Sequence, residues 1–456
     1  MPHIVKSVFL NNVAIQFQRM RQDKMAADVV RGASAAFILK LVRVGLLFGL
    51  HAFLVRFVGV TIYGEYVYVI AWLEILALFG QAGFNNASLR FVSAYRGEGR
   101  WKLLGGVIRR SSQISFGNSL IIAAIAATIV WQVQNFLEIS LVYAFWSGFL
   151  LLPIMVILRL SNAQLLALKR VVVSHLPEAV LYPIALILGV FISVEIFRFQ
   201  PSASLILNLG IATLLILYLI SRSLLSNCLP QEVLHGSKDY RTNEWIKVAL
   251  PLLAVSAVNL VLIRTDVIMI GIFRSTTEVG VYTAASMIAS IVPFTLVAAN
   301  TIVAPVISEL FTQHRMAELQ SIITFVTRWI FMLTIPIVLG IMILGEFILS
   351  LFDPTFVSGY VALIILTLGQ IINVFVGSVA FLLTMTNHQN IAAKVMGISA
   401  FMNIILNLML VPIYGIMGAA IATAITMIFW NITMLVLVQK HLNINPSAFP
   451  LRRRRI

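Results

Sequence analysis

The chain has 456 residues, 60% of them hydrophobic and 11% charged. A soluble domain carries about a quarter charged residues, so this chain lacks the material for a water-exposed surface and lipid must be its main solvent. The formal net charge of +15 would suggest nucleic acid in a soluble protein; in an inserted one it belongs to cytoplasmic loops, and no nucleic-acid partner is implied.

A spanning helix needs roughly 20 apolar residues. Residues 1–33 are expected to form a cytoplasmic tail, an amphipathic helix on the inner leaflet carrying Lys6, Arg19, Arg21, Lys24 and Arg31; no cleavable signal peptide is apparent. A first lobe, 34–221, holds spans near 34–56, 62–84, 112–132, 138–158, 175–197 and 203–221. A polar linker, 222–245, contains the single cysteine, Cys228, which excludes an internal disulfide and cannot build a zinc site alone. The second lobe, 246–439, holds spans near 246–271, 279–303, 328–351, 359–385, 391–411 and 416–438. A basic tail, 440–456, ends in Arg452 to Arg455, suited to anionic lipid. The fold class is therefore all-α and polytopic, with about twelve transmembrane helices in two lobes of six.

Loop charge supports this count. One set of loops carries Arg90, Arg96, Arg100, Lys102, Arg109, Arg110, Arg159, Lys169, Arg170, Arg222 and Lys238, among others. The opposite set has Arg56, Arg198 and Arg274. A missed span would scramble that alternation, so both termini are expected on the cytoplasmic side. Trp131, Trp245 and Trp329 sit at span ends as interfacial anchors. Pro153, Pro183, Pro251, Pro293 and Pro336 fall inside spans, where each removes a backbone hydrogen bond and can kink a helix.

The halves share a weak repeat. Tyr63-Gly64-Glu65-Tyr66 and Val279-Gly280-Val281-Tyr282 each open a second span, and Lys102-Leu103-Leu104 and Glu318-Leu319-Gln320 follow at the same interval. Two lobes from a duplicated unit, with a site between them near the midplane, is a common transporter plan.

Several strings together resemble the Wzx-type oligosaccharide flippases, the polysaccharide transporters of the larger group that includes MATE drug exporters and lipid II flippases. They are Gly59 to Tyr66 (GVTIYGEY), Phe79 to Phe84 (FGQAGF), Asp266 to Gly271 (DVIMIG), Val279 to Ala285 (VGVYTAA), Pro305 to Leu310 (PVISEL) and Asn403 to Thr423 (NIILNLMLVPIYGIMGAAIAT). The ordered set covers residues 30–440. The resemblance implies a MATE-like bundle that alternates access around a central cavity. It implies a bacterial inner-membrane carrier for a polyprenyl-pyrophosphate-linked glycan in O-antigen, capsule or exopolysaccharide synthesis. Membrane lipids, polysaccharide polymerases and glycosyltransferases would be its partners, and it would need no cofactor. Two departures favour an oligosaccharide carrier. The extra carboxy-terminal helices usual in lipid II flippases are not found, and the first span is basic where many MATE exporters carry an acid.

A charge at the bilayer centre costs roughly 3 kcal/mol on insertion scales, so intramembrane charges usually face a cavity. On a helical wheel Lys40, Arg43 and His51 fall at about 0°, 300° and 20°. That basic stripe is expected to hold the pyrophosphate headgroup, against the alternative that Lys40 and His51 reach opposite interfaces. Glu74 is the deepest acid, expected either to titrate during transport or to pair with Arg43. Asp266 shares a face with Ser256 and Asn259, while Arg264 points away from it on an ideal helix. The readings open for Asp266 are pairing with a first-lobe cation, a proton or sodium site, or a solvated position at the outer interface. Gln81, Asn85, Asn259, Asn300, Gln370 and Asn373 could meet sugar hydroxyls or bond neighbouring helices.

Two other functions compete. A MATE-type cation-coupled multidrug exporter is the nearer one. A membrane-embedded polysaccharide polymerase is the other, but its usual large outer loop is not found. No catalytic constellation, metal cluster or nucleotide-binding motif is apparent in the sequence.

Overall fold

The computed structural model describes the backbone of residues 24–449 and the side chains of 38–300 and 303–449. The tail at 1–23 and the run Arg452 to Arg455 lie outside the described residues. Every regular element described is helical: α1 Lys24–Val58, α2 Val60–Gly80, α3 Phe84–Gly97, α4 Trp101–Val133, α5 Ile139–Ala167, α6 Val171–Ile196, α7 Ala203–Cys228 and α8 Gln231–His235. The second half comprises α9 Thr242–Phe273, α10 Thr276–Ala289, α11 Phe294–Thr312, α12 Met316–Ser350, α13 Tyr360–Val376, α14 Val379–Met385 and α15 Gln389–Leu442. With no water to satisfy backbone groups in hydrocarbon, helices are the form that such apolar runs can take.

Among the described residues, 10 helices are long and apolar enough to cross a membrane, and Thr276–Ala289 with Phe294–Asn300, bent by 52°, makes an eleventh. The 54-residue α15 would be roughly 80 Å long if straight, more than twice a bilayer's hydrocarbon core. It folds back at Gly415 (φ 55°, ψ −132°). The rings of His388 and His441, at its two ends, are 5.1 Å apart. Asn403 Nδ2 donates to Thr423 Oγ1 across the fold at 3.3 Å. Counted as two spans, this hairpin completes twelve. A Cβ on Gly415 would lie 2.7 Å from Glu278 Oε2 and 3.1 Å from Arg274 Nε, so glycine serves both the positive-φ turn and its close seat against these side chains at the start of α10.

Three expectations need correction. The span at 359–385 is interrupted by Gly377 (φ 81°), which separates α13 from α14. Trp245 is fully buried rather than interfacial, and its Nε1 donates to the Tyr95 hydroxyl at 3.0 Å. Arg159 is no loop residue, because α5 continues through it to Ala167, and Arg90, Arg96, Lys102, Arg109, Arg110 and Arg222 likewise lie within α3, α4 and α7.

The halves meet differently at the two ends. At one end α2 crosses α10 where the repeated glycines stand. A Cβ on Gly64 would lie 2.0 Å from the Thr276 carbonyl oxygen, and one on Gly280 only 3.1 Å from the Tyr63 ring. Phe48 packs edge-on against Phe352 at 5.0 Å, and Phe352 stacks on Phe356 at 5.8 Å, closing that end with aromatic bulk. At the opposite, basic end the second half reaches the first through α9. Gly83 (φ 77°) sits where a Cβ would be 2.0 Å from the Ala249 carbonyl oxygen, and Asn86 donates to Ser256 Oγ at 3.1 Å. Gln81 lies seventeen residues beyond Gly64 along α2, so roughly 25 Å of depth separates the closed end from the chambers near the basic face.

Candidate functional site: a cationic cavity between the halves

Three adjoining chambers lie between the crossing and the basic face. The central one, about 340 Å³, receives Arg43 from α1, Glu74 from α2, Arg159 from α5, Glu178 and Tyr182 from α6 and Arg264 from α9. A side chamber of about 410 Å³ shares Arg43, Arg159 and Glu178 with it and adds Lys40, Gln81, Asn85 and His175. A third, about 380 Å³, shares Glu74, Arg159 and Arg264 and adds Gln81, Ser256 and Asn259.

Local structure explains how α6 contributes. Its backbone is π-helical over Pro177–Leu181, the stretch that carries Glu178 and leads into Tyr182. A π turn widens the helix and shifts the side-chain register, which is why such turns recur at functional sites. Tyr182 then meets the Tyr66 hydroxyl at 3.4 Å, and Asn162 Nδ2 donates to Glu178 at 3.2 Å.

The ion pairs are asymmetric. Glu74 is bound by Arg264 of the second half, and Arg159 Nη2 stands 3.6 Å from its other carboxylate oxygen. One carboxylate thus joins an arginine from each half. Arg43 makes no ion pair among the described residues, and neither does Lys40. Three arginines against two carboxylates leave the central chamber net positive.

Of the residues singled out in the sequence, Lys40 and Arg43 line the side chamber, while Arg43 and His51 line the central one, His51 Nδ1 lying 3.0 Å from the Tyr63 hydroxyl. The expected pairing of Glu74 with Arg43 is replaced by the pairing with Arg264 and Arg159. Wheel angles give a side chain's face, but they do not say which helix stands opposite.

Asp266 is also corrected. It is 4% exposed, not solvated, and pairs with no first-half cation among the described residues. It accepts hydrogen bonds from the Tyr282 hydroxyl, from Asn407 Nδ2 at 2.9 Å and from Thr423 Oγ1 at 2.5 Å, all within the second half. The Oδ1 atoms of Asn403 and Asn407 are buried without a hydrogen-bond partner among the described residues. Three of the strings quoted above converge here: DVIMIG supplies the acid, VGVYTAA the tyrosine, and Asn403 to Thr423 the amides and threonine.

Among the amides, Gln81, Asn85 and Asn259 line chambers. Asn300, Gln370 and Asn373 do not. Asn300 accepts from Ser378 Oγ, and Asn373 donates to Gln370 at 3.1 Å along its own helix, so these groups satisfy each other. Sequence reasoning missed Arg159, Glu178, Tyr66 and Tyr182. The signal for Arg159 was the helix-compatible run SNAQLLA that follows shortly after it; for the other three no local signal stood out.

A profile described as "Polysaccharide biosynthesis protein" matches residues 29–311. A protein of Haloferax volcanii described as a probable low-salt glycan biosynthesis flippase, Agl15, is 30% identical over 165 residues; the match spans 35% of this chain and 34% of that protein. Among solved structures, an inward-facing MATE family multidrug transporter of the MOP superfamily superposes with a TM-score of 0.71 at 14% identity, covering 88% of this chain and 98% of that one. The lipid II flippase MurJ, in an inward closed conformation, gives 0.69 at 15% identity over 90% of this chain and 87% of that one. At these identities the superpositions speak for the fold.

Proposed function

The chain belongs to the polysaccharide biosynthesis protein family, and from that premise we propose that it flips a glycan linked to polyprenyl pyrophosphate across a cell membrane. The observation that carries this reading is the net-positive cavity to which both halves contribute arginine. A pyrophosphate leaving water needs cationic partners, and guanidinium groups hold phosphate oxygens in bidentate forks. Arg43 and Lys40, free of carboxylates, are the first contacts for the headgroup as it enters from the side chamber. Glu74 meanwhile pairs with Arg159 and Arg264 and offsets one of their two charges. As the pyrophosphate moves inward it displaces Glu74 as their counter-ion, so the bond between the halves weakens only when cargo is present. Gln81, Asn85 and Asn259 are placed to meet the first sugars, and the prenyl tail stays in lipid. No bond is made or broken in the cargo.

For the driving force we assign the Asp266 cluster as the site of a coupling proton or sodium ion. A buried carboxylate beside two unpartnered amide oxygens favours a small cation over any part of the cargo. The multidrug-exporter alternative fits less well, because a cavity with three arginines repels cationic drugs. The glycan class proposed is a surface polysaccharide precursor, such as an O-antigen, capsule or exopolysaccharide unit, with glycosyltransferases and a polymerase acting before and after the flip.

Deletion of the gene in its host tests the reading. Lipid-linked glycan is expected to accumulate, with drug sensitivity unchanged. An unchanged lipid-linked pool with heightened sensitivity to cationic drugs would contradict it and favour the exporter.

A further inference from the structure

A second basic pocket lies on the first half, away from the chambers and sharing no lining residue with them. It is about 270 Å³ in volume, and three cations reach it from three elements: Arg109 of α4, Arg222 of α7 and Lys238 of the linker. Its floor is apolar, with Ile108, Leu229 and Val233. Two adjacent glycines build it. A Cβ on Gly106 would lie 1.8 Å from the Asp239 carbonyl oxygen and one on Gly105 3.2 Å from that of Val233, so only glycine lets the linker settle onto α4. The Asp239 amide then donates to the Lys102 carbonyl at 3.2 Å, which holds Lys238 beside the two arginines.

Convergence on one pocket from three elements sets Arg109, Arg222 and Lys238 apart from the other basic residues of that face. Three other cations near that face have partners: Arg100 with Glu98 at 3.0 Å, Arg241 with Glu244 at 3.6 Å and Arg96 with the Leu168 carbonyl at 2.6 Å. Arg109, Arg222 and Lys238 make no ion pair among the described residues, and the linker's carboxylates Glu232 and Asp239 do not line the pocket. The same helix faces continue into lipid as apolar ladders. Phe116 and Leu120 stand two and three turns beyond Arg109, while Leu215 and Leu219 stand two turns and one turn before Arg222, all of them exposed. Cations at headgroup level below exposed apolar ladders match the two ends of a phospholipid.

We propose that this pocket binds the phosphate head of an anionic phospholipid from the surrounding leaflet, clamping the linker between the halves to the first half. Basic pockets between helices at this level suit such heads.

The test is native mass spectrometry of the full-length protein titrated with phosphatidylglycerol or phosphatidylcholine. The wild type should retain phosphatidylglycerol preferentially. The R109Q/R222Q/K238Q variant should lose roughly a hundredfold in that affinity, and the milder R222Q roughly fivefold, should the triple variant not fold. A control, R90Q/R110Q/R170Q, removes equal charge from the same face and should retain the lipid. Equal loss in the control would overturn the proposal, as would no preference between the lipids in the wild type. Displacement of the lipid by millimolar inorganic phosphate would overturn the lipid assignment in favour of a soluble anion.

Discussion

At the scale of single residues, Asp266 shows how burial converts a polar side chain into a constraint. Three donors converge on its carboxylate; removing that acceptor strips the Tyr282 and Thr423 hydroxyls of it in a low-dielectric interior, while Asn407 Nδ2 keeps its bond to the Asn403 carbonyl. Asp266→Leu should therefore destabilise the protein by roughly 1–3 kcal/mol, read as a lower melting temperature. Asp266→Asn keeps one acceptor oxygen and should fold, yet transport should no longer respond to an imposed sodium or proton gradient. Gradient-driven transport at the wild-type rate in the folded Asn variant would remove Asp266 from coupling. Much of this cluster was visible in the sequence as motif residues. Its assembly was not, because Asp266 and Thr423 lie 157 residues apart and no local pattern specifies that contact.

At the scale of elements, the decisive feature is the crossing of α2 and α10. The repeated glycines remove side chains where two backbones nearly touch, a common device for helix pairs in lipid. The repeat persists in the turns. Gly99 (φ 68°) precedes α4 and His314 (φ 56°) precedes α12, and Lys169 (φ 61°) and Asn387 (φ 64°) occupy corresponding turns later in each half. Alternating access requires this crossing to part. The Thr61 and Thr277 hydroxyl oxygens are 3.5 Å apart across it, so T61C/T277C in a C228S background should form a disulfide on oxidation. Transport should stop and return on reduction; continued transport by the cross-linked protein would show that this end does not open. The spans themselves were legible from hydropathy, since an apolar run of about 20 residues has few alternatives in lipid. Breaks at Gly377 and Gly415 were less so, because glycine marks permission for a turn and not its occurrence.

At the scale of the whole molecule, the halves close one end with glycine and aromatic packing and leave a positive cavity towards the other. α9 binds both halves, through Trp245 against the first and Asp266 within the second, and α10 does so through its crossing with α2 and the bond from Tyr282 to Asp266. The basic stripe of α1 could be read from helical periodicity, and its three residues lie on the chambers. Their carboxylate environment could not be read, because Glu74 and Arg264 are 190 residues apart and either charge had other conceivable partners.

The account rests on arginine in the cavity receiving an anionic head. Its most direct test is flipping of a polyprenyl-pyrophosphate oligosaccharide in proteoliposomes by wild type and by Arg43→Ala, matched for folded protein. Loss of one bidentate phosphate contact, worth about 1.5–3 kcal/mol for a charged hydrogen bond, should slow flipping by roughly 10- to 100-fold at limiting substrate. An unchanged rate in Arg43→Ala would contradict the account.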